Sequence, residues 1–202
     1  MKISKAQSKE NRARVVETAS ALFREQGYDG VSVADLMAAA GLTHGGFYRH
    51  FGSKADLMAE AAGHGLDSKM REYTGVDMAG FVDTYLSRAH RDSRSDGCTI
   101  AALAADAARQ PVAVQATFAA GIAGMLAAVQ QAAMAAGADA ASARAQAIGQ
   151  LAQMVGALVL SRACPDDAPL ADEILAVCRD ASLARLAPPA AKRRARARRK
   201  AD

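Results

Sequence analysis

Residues 43–50 place a hydroxyl, two imidazoles, a phenol and a guanidinium within one short stretch of the chain. Groups of this kind donate and accept hydrogen bonds at nucleic-acid base edges and phosphates. Phe47 interrupts the polar run and Phe51 follows it, so a helix over these residues would have one apolar side. With that side turned inward, the polar side chains would face outward on a helix that fits a major groove about 12 Å wide.

The elements around this run have the spacing of a helix-turn-helix motif. Ser32 with Asp35 three residues later is a capping box that starts a helix, and Gly41 tolerates the positive φ of a sharp turn. Ser53 with Asp56 repeats the capping box and starts the following helix. The inward-facing apolar residues that can close a three-helix core are Val15, Leu22, Phe23, Leu36, Leu42 and Phe47.

Residues 9–57 closely resemble the DNA-binding domain of TetR-type repressors. The resemblance covers about a quarter of the chain and is specific, because capping, turn and groove-facing positions agree in order and spacing. One departure is Met37, where the family usually has a small alanine at the contact between the first two motif helices. The matching residues are Phe23, Gly27-Tyr28, Ser32-Val33, Gly41-Leu42-Thr43, residues 45–51 and residues 53–57.

The resemblance implies that residues of the short helix read base edges. These readers are Thr43, His44 and Gly46, with Arg49 as a further one. Gly45 and Gly46 both belong to the predicted interface, although each weakens a helix by roughly 1 kcal/mol relative to alanine. Two explanations stay open for them: close backbone approach to DNA, or a short helix that is held by Phe47 and tolerates glycine.

Phosphate contacts are implied for Tyr48, His50 and Lys54, again by the resemblance. The physics of helix ends agrees, since free N–H groups, the helix dipole and a lysine converge near Ser53 and Lys54. Ser32, at the start of the preceding helix, completes the predicted interface with double-stranded operator DNA.

A second copy of the chain is expected, because one helix-turn-helix covers only a few base pairs. Two predicted helices carry small or apolar residues at spacings of three and four, and with a second copy they would form the four-helix bundle that the family implies. A core within one chain would show the same stripes, so both interpretations stay open. The predicted dimer-interface residues are Ala145, Gly149, Ala152, Gly156, Leu170, Ile174 and Val177.

The resemblance also implies a pocket in the C-terminal part, where a small-molecule inducer changes the separation of the two reading heads. Methionines in an alanine-rich helical bundle can leave an adaptable apolar cavity, although the same residues would equally form plain core. No charged residue indicates the chemistry of the ligand. The candidate ligand-binding residues are Phe81, Tyr85, Leu103, Phe118, Met125 and Met154.

Cys98 is a candidate redox switch. Gly97-Cys98 begins a predicted helix, and a thiol in a first turn lies at the positive end of the helix dipole, which favours a reactive thiolate. The Gly-Cys-x-aliphatic start is similar to a subgroup of TetR-type repressors, some of which sense electrophiles or oxidants through this cysteine. The other interpretation is a small buried packing residue.

Composition excludes several other classes of protein. Alanine makes up about a quarter of the 202 residues and aromatic residues only 4%, which favours helices over strands. Three widely spaced cysteines form neither a disulfide framework nor a zinc site, and the pair His64 and Asp67 lacks a third ligand or nucleophile. We therefore expect no catalytic residue, no metal and no cofactor, and disfavour a helical enzyme.

Charge and hydropathy indicate a cytoplasmic protein with a basic tail. The net charge of the chain is +4. Residues 192–202 contain seven basic residues and one acidic residue, so the rest of the chain has a net charge of about −2. A sequence-indifferent chromatin-packing protein that uses this tail is a third functional class. Residues 1–10 lack the apolar stretch of a secretory signal, and the apolar stretch 116–129 is shorter than the ~20 residues of a membrane span.

Apolar stripes with a period of 3.6 residues predict an all-α fold of about nine helices. We expect a helix-turn-helix DNA-binding domain over residues 1–52, a helical ligand-binding and dimerisation domain over 53–187, and a disordered basic tail over 188–202. The predicted helices cover residues 8–26, 32–40, 43–50, 53–73, 78–92, 98–109, 112–136, 140–163 and 170–186.

Overall fold

The computed structural model describes residues 4–72, 77–135 and 137–186. These ranges contain nine α-helices, one 3₁₀ helix and no strand, so the predicted all-helical fold is confirmed. The predicted tail, residues 188–202, lies outside the described residues. The elements are α1 (Lys5–Gln26), α2 (Val33–Ala39), the 3₁₀ helix (His44–Arg49), α3 (Lys54–Glu72), α4 (Met78–Tyr85), α5 (Arg88–Asp92), α6 (Thr99–Ala107), α7 (Val112–Ala135), α8 (Ala140–Arg162) and α9 (Pro169–Leu186).

Local hydrogen bonds fix both ends of α2. Ser32 Oγ accepts from the N–H of Asp35 at 3.1 Å, and Asp35 Oδ2 accepts from the N–H of Ser32 at 3.0 Å, which is the predicted capping box. Gly41 follows the helix with a φ of +70°, and the next N–H, that of Leu42, donates to the carbonyl of Met37 at 2.8 Å. The sharp turn predicted at this glycine is therefore present.

The third predicted helix, residues 43–50, is a 3₁₀ helix rather than an α-helix. Its bonds run from Gly46 N–H to Thr43 carbonyl and from His50 N–H to Phe47 carbonyl, each 2.9 Å long. Two glycines lower helix propensity in an element this short, and short elements favour the tighter 3₁₀ form. Thr43 is the N-cap residue of this helix, but its side chain makes no capping hydrogen bond.

The single helix predicted over residues 78–92 is two helices, α4 and α5. Ser87 separates them, because its Oγ accepts from the N–H of His90 at 3.1 Å and so caps a new helix. The same hydroxyl donates to the carbonyl of Thr84 at the end of α4, at 2.8 Å. One serine thus ends one helix and begins the next.

Buried apolar side chains form two clusters that share α3. The head cluster joins α1, α2, the 3₁₀ helix and the first half of α3, including Leu57, and it also contains Leu103 of α6 and Phe118 of α7. The sensor cluster joins α4, α8 and α9, and it also contains Leu66 of α3, Ile100 of α6 and Met125 of α7. The domain boundary at residue 52 stays a prediction, and the head cluster extends across it.

A buried arginine ties α5 to the loop between α8 and α9. Arg91 is 1% exposed, and its guanidinium donates to the carbonyls of Ser161 and Cys164 at 3.1 and 3.0 Å. It also donates to carboxylate oxygens of Asp92 and Asp166 at 2.6 and 2.9 Å. These partners compensate the cost of burying the charge and hold α5 in place.

By length and composition alone, α7 could cross a membrane. It has 24 residues, and its most apolar 18-residue window has a mean hydropathy of 1.8 and is 22% buried. The helix is longer than the apolar stretch 116–129 because it continues through the uncharged residues Gln115, Gln130 and Gln131. Phe118 packs in the head cluster and Met125 in the sensor cluster, so α7 is a structural helix of the folded protein.

Candidate nucleic-acid interface

Two phenylalanines anchor the 3₁₀ helix to the head cluster. Phe47 is fully buried and Phe51 nearly so, and their ring centroids are 5.4 Å apart. Tyr48 lies between them in sequence but is 70% exposed, with its ring edge-on to Phe47 at 5.2 Å. The helix therefore presents its polar side to solvent.

Most of the predicted DNA-binding residues share this outward side or lie beside it. The exposed ones are Ser32, Thr43, His44, Gly45, Tyr48 and Arg49, and the partly buried ones are Gly46, His50 and Lys54. Because the Thr43 side chain makes no capping hydrogen bond, its hydroxyl is available to a base or a phosphate.

Packing within the chain does not demand glycine in the 3₁₀ helix. A Cβ at Gly45 would meet nothing within 4 Å, and one at Gly46 would lie 3.5 Å from Met37 Cε, an ordinary van der Waals contact. Neither glycine has a positive φ. Met37 itself is fully buried in the place where the family usually has alanine, and its tip occupies the space beside Gly46.

Lys54 is engaged within the protein. Its Nζ donates to the carbonyl of Tyr28 at 2.6 Å and lies 5.9 Å from the ring centroid of Phe23. One hydrogen of the ammonium is thus used to join α3 to the chain after α1, and two remain for a phosphate. The Oγ of Ser53 takes one backbone N–H of this helix start, that of Asp56, at 3.1 Å.

Arg12 is a positioning residue that the sequence analysis missed. Its Nε donates to the carbonyl of His50 at 3.3 Å, its guanidinium lies 4.8 Å from the ring centroid of Phe51, and it forms a two-pronged ion pair with Glu60. It therefore holds the end of the 3₁₀ helix against both α1 and α3. Its position one turn before Val15, on the core side of α1, was the available signal.

Two segments of the chain match known families. Residues 15–61 match the profile of bacterial regulatory proteins of the tetR family, and residues 77–173 match that of the C-terminal domain of LmrA/YxaF-like transcriptional regulators. The chain belongs to the TetR family. The matched families are transcriptional regulators, not enzymes.

Individual relatives agree with this assignment. A segment of the chain is 37% identical over 57 residues to the HTH-type transcriptional regulator AcrR of Shigella flexneri, covering 28% of this chain and 26% of AcrR. It is 36% identical over 55 residues to the HTH-type transcriptional regulator TtgR of Pseudomonas putida, covering 27% of this chain and 26% of TtgR. The match thus spans about a quarter of the length of these curated relatives.

Solved structures extend the likeness to most of the chain. A TetR transcriptional regulator from Chloroflexus aurantiacus superposes with a TM-score of 0.70 at 28% identity, over 88% of this chain and 94% of that one. The reduced form of Escherichia coli NemR superposes with a TM-score of 0.71 at 17% identity, over 86% and 95%. At the lower identity the likeness concerns the fold.

The predicted ligand-binding residues of this TetR-family chain separate into two groups. Phe81, Tyr85, Met125 and Met154 surround one small cavity of about 10 Å³ in the sensor cluster. Leu103 and Phe118 belong instead to the head cluster. A larger cavity of about 530 Å³ lies next to the small one and shares Val129 and Gln150 with it.

Cys98 is 5% exposed and occupies the N-cap position of α6. Its N–H donates to Nε2 of His90 at 3.2 Å, while Nδ1 of His90 lies 2.7 Å from the carbonyl of Tyr85. The guanidinium groups of Arg24 and Arg162 lie close enough to interact electrostatically with the sulfur, and burial lowers the pKa of both arginines. All three cysteines of the chain are free thiols.

The predicted dimer-interface residues lie on an unpartnered face of α8 and α9. Exposed members are Ala145, Gly149, Ala152, Leu170 and Val177, and partly buried members are Gly156 and Ile174. A Cβ on either glycine would meet nothing within 4 Å. Three further large apolar side chains of α8 are also exposed to solvent, namely Ile148, Val159 and Leu160.

Proposed function

We propose that this chain is a homodimeric transcriptional repressor that leaves a palindromic operator when a small molecule binds its C-terminal domain. The observation that carries the proposal is the outward 3₁₀ helix, whose reading residues are exposed while Phe47 and Phe51 fix its orientation. Thr43, His44 and Arg49 would read base edges. The protein would act in the cytoplasm.

The contacts to DNA follow from the exposed groups. Arg49 is suited to a two-pronged hydrogen bond with a guanine, and Tyr48 and His50 to phosphates beside the groove. Gly45 and Gly46 would let the backbone approach the bases, an explanation favoured by the absence of any packing demand for glycine at either described position. The two remaining ammonium hydrogens of Lys54 would reach a phosphate.

A second copy would cover the apolar face of α8 and α9. Large exposed hydrophobic side chains such as Leu160, 60% exposed, and Val177, 61% exposed, are stabilised by burial against a partner. The glycines and alanines of α8 would let the partner's helices approach closely. Two reading helices about 34 Å apart would then match successive major grooves.

A movement caused by ligand binding would be transmitted to the DNA-binding helices through α6. The carboxylate of Asp106 in α6 lies 3.4 Å from the N–H of Tyr28, which follows α1. In front of α6, the carbonyl of Ser95 accepts from Nε of Arg24 in α1 at 2.8 Å. A ligand that displaces α6 would therefore move both ends of this contact with α1.

The test is selection of bound fragments from random DNA, followed by affinity measurement on the selected site. We expect a palindrome with half-sites about one helical turn apart or more. Arg49→Gln should weaken binding at least about tenfold and relax specificity at one base per half-site, whereas Arg144→Gln, exposed on α8, should not. Non-palindromic or sequence-indifferent binding would refute the proposal and favour the chromatin-packing class.

A thiol-switched repressor is the second candidate, favoured by the packing around Cys98. When the sulfur adds to an activated C=C bond of an electrophile, the carbon–carbon π bond breaks and the thiol proton moves to the neighbouring carbon. The adduct then needs space where the residue is only 5% exposed. Gaining that space would move the start of α6 away from Arg24 and His90. Cys98→Ser should keep operator binding but lose release by an electrophile, and Cys178→Ser, half-buried in α9, should respond like the natural chain.

A further inference from the structure

The cavity of about 530 Å³ lies among four helices of the sensor part. Its walls come from the start of α4, the end of α7, the first half of α8 and the end of α9. At roughly 30 Å³ for each water-sized group, it has room for about fifteen to eighteen non-hydrogen atoms. This volume lies in the ordinary range for small-molecule sites.

The walls of the cavity and part of its floor are apolar. Met78, Val129, Ala132 and Ala133 are partly buried walls, and the fully buried Ala147 belongs to the floor. These side chains favour an apolar ligand body over water.

Gln150 is the polar group of the floor. It is 94% buried, and its amide nitrogen makes a long contact of 3.5 Å with the sulfur of Met154, a weak acceptor. Because Gln150 lines both this cavity and the small closed one, it lies at the boundary between them. Methionine side chains around the small cavity can rearrange to admit the end of a long ligand.

Charge is confined to the open side. Among the described residues that line the cavity, Arg185 is the charged one, and it is exposed together with Leu186 and Gln146. Its Nη1 donates to Oε1 of Gln153, a neutral amide, so the remaining donors of the guanidinium are available. A carboxylate lying there would accept two parallel hydrogen bonds from the guanidinium.

We propose that this cavity binds amphipathic anions: an apolar chain or ring system of about ten carbons in the cavity, with a carboxylate at Arg185. This inference deepens the proposed function by assigning the chemical class of the releasing ligand. A cationic or uncharged head group would leave the guanidinium without its anionic partner and would bind more weakly.

The test compares three probes of equal chain length: decanoate, decan-1-ol and decyltrimethylammonium. Binding to the full chain without DNA is measured by titration calorimetry. We expect decanoate to bind at least about tenfold more tightly than the alcohol, and the cation to bind most weakly. Equal binding of the three probes, preference for the alcohol or the cation, or no binding would overturn the proposal.

Two variants and one control variant locate the site. Arg185→Gln should remove the preference for decanoate over the alcohol, while Arg179→Gln, on the same helix but near Asp83 and Asp180, should keep it. Ala132→Leu should weaken all three probes by filling a wall. An Arg185 variant that retains the preference, or that behaves like the Arg179 variant, would overturn the assignment.

Operator binding is measured separately with decanoate present. If decanoate binds the free protein in the expected manner and DNA stays bound, the anion site stands and release by this ligand class is refuted. If operator DNA is not recognised at all, the proposed function fails while the calorimetric result still decides the site.

Discussion

Gly65 lies where α1, α3 and α6 meet, and replacing it with alanine should separate them. An added Cβ would lie 2.5 Å from Arg24 Nη1 and 2.5 Å from Thr99 Oγ1, and 2.9 Å from Ser20 Oγ. Arg24 cannot withdraw freely, because its Nη1 donates to Ser20 Oγ at 2.7 Å and its Nε to a backbone carbonyl. Gly63, in the same helix, offers a matched control, since its Cβ would meet only Thr117 Cγ2 at 3.6 Å.

The expected change in the free energy of unfolding follows from opposing contributions. Alanine gains about 1 kcal/mol over glycine inside a helix, and Gly63→Ala should show most of this gain. At Gly65 the overpacking costs about 1–3 kcal/mol, and disturbing the hydrogen bonds of Arg24 costs about 1 kcal/mol more. Because the helix gain is common to both variants, Gly65→Ala should be less stable than Gly63→Ala by about 2–4 kcal/mol, or roughly 4–16 °C in Tm for a chain of this size.

Thermal and urea unfolding followed by circular dichroism measure this difference. Thr99→Ala supplies a rescue, because it removes a buried hydroxyl that has no hydrogen-bond partner and one of the two closest contacts. The double variant Gly65→Ala/Thr99→Ala should recover part of the lost stability. If Gly65→Ala is as stable as Gly63→Ala, the claim that α1, α3 and α6 leave no space for a Cβ at Gly65 is refuted.

Four further substitutions test other parts of the molecule. Gly45→Ala should leave the Tm unchanged or raised but weaken operator binding about tenfold or more by electrophoretic mobility shift; unchanged affinity would show that glycine is merely tolerated there. Val177→Asp should convert a dimer to monomers in sedimentation velocity, whereas Val112→Asp, 77% exposed on α7, should stay dimeric. Hydrogen bonds from the N-cap serine lower the pKa of Asp35, so its stabilising effect is present above about pH 4 and lost as the pH falls through the folded-state pKa. Asp35→Asn should accordingly flatten the acid limb of a Tm–pH curve, and an unchanged limb would contradict the capping role. Arg91→Met should lower the free energy of unfolding by about 3 kcal/mol or more, measured in urea, because buried carbonyls lose their donor; a neutral result would mean that α5 repacks.

The sequence was sufficient for features that local chemistry decides. A serine followed three residues later by an aspartate caps its own helix, and a glycine at the turn supplies its own positive φ, so Ser32, Asp35 and Gly41 behave as predicted. The orientation of the 3₁₀ helix was predictable for the same reason, since Phe47 and Tyr48 differ strongly in hydrophobicity and point to opposite sides.

Features that depend on distant contacts were not predictable. The partner of Lys54 is a carbonyl 26 residues earlier, and Arg12 contacts Glu60 48 residues later. The larger cavity is lined by Val129 and Arg185, which come from different helices and were not predicted, whereas four of the six predicted ligand-binding residues line the smaller one. The split near Ser87 required knowing that its hydroxyl turns toward the next helix.

Because α3 belongs to both clusters, it would work as a lever arm between them in the proposed repressor. Its 19 residues span about 28 Å at 1.5 Å per residue, with Leu57 in the head cluster and Leu66 farther along in the sensor cluster. Tilting such a rod by about 5° carries its far end through roughly 2.5 Å. In the proposed two-fold dimer both copies would move in this way. A rearrangement no larger than a side-chain rotation at one end of α3 would then change the distance between the two 3₁₀ helices, so that they no longer match a groove repeat of about 34 Å.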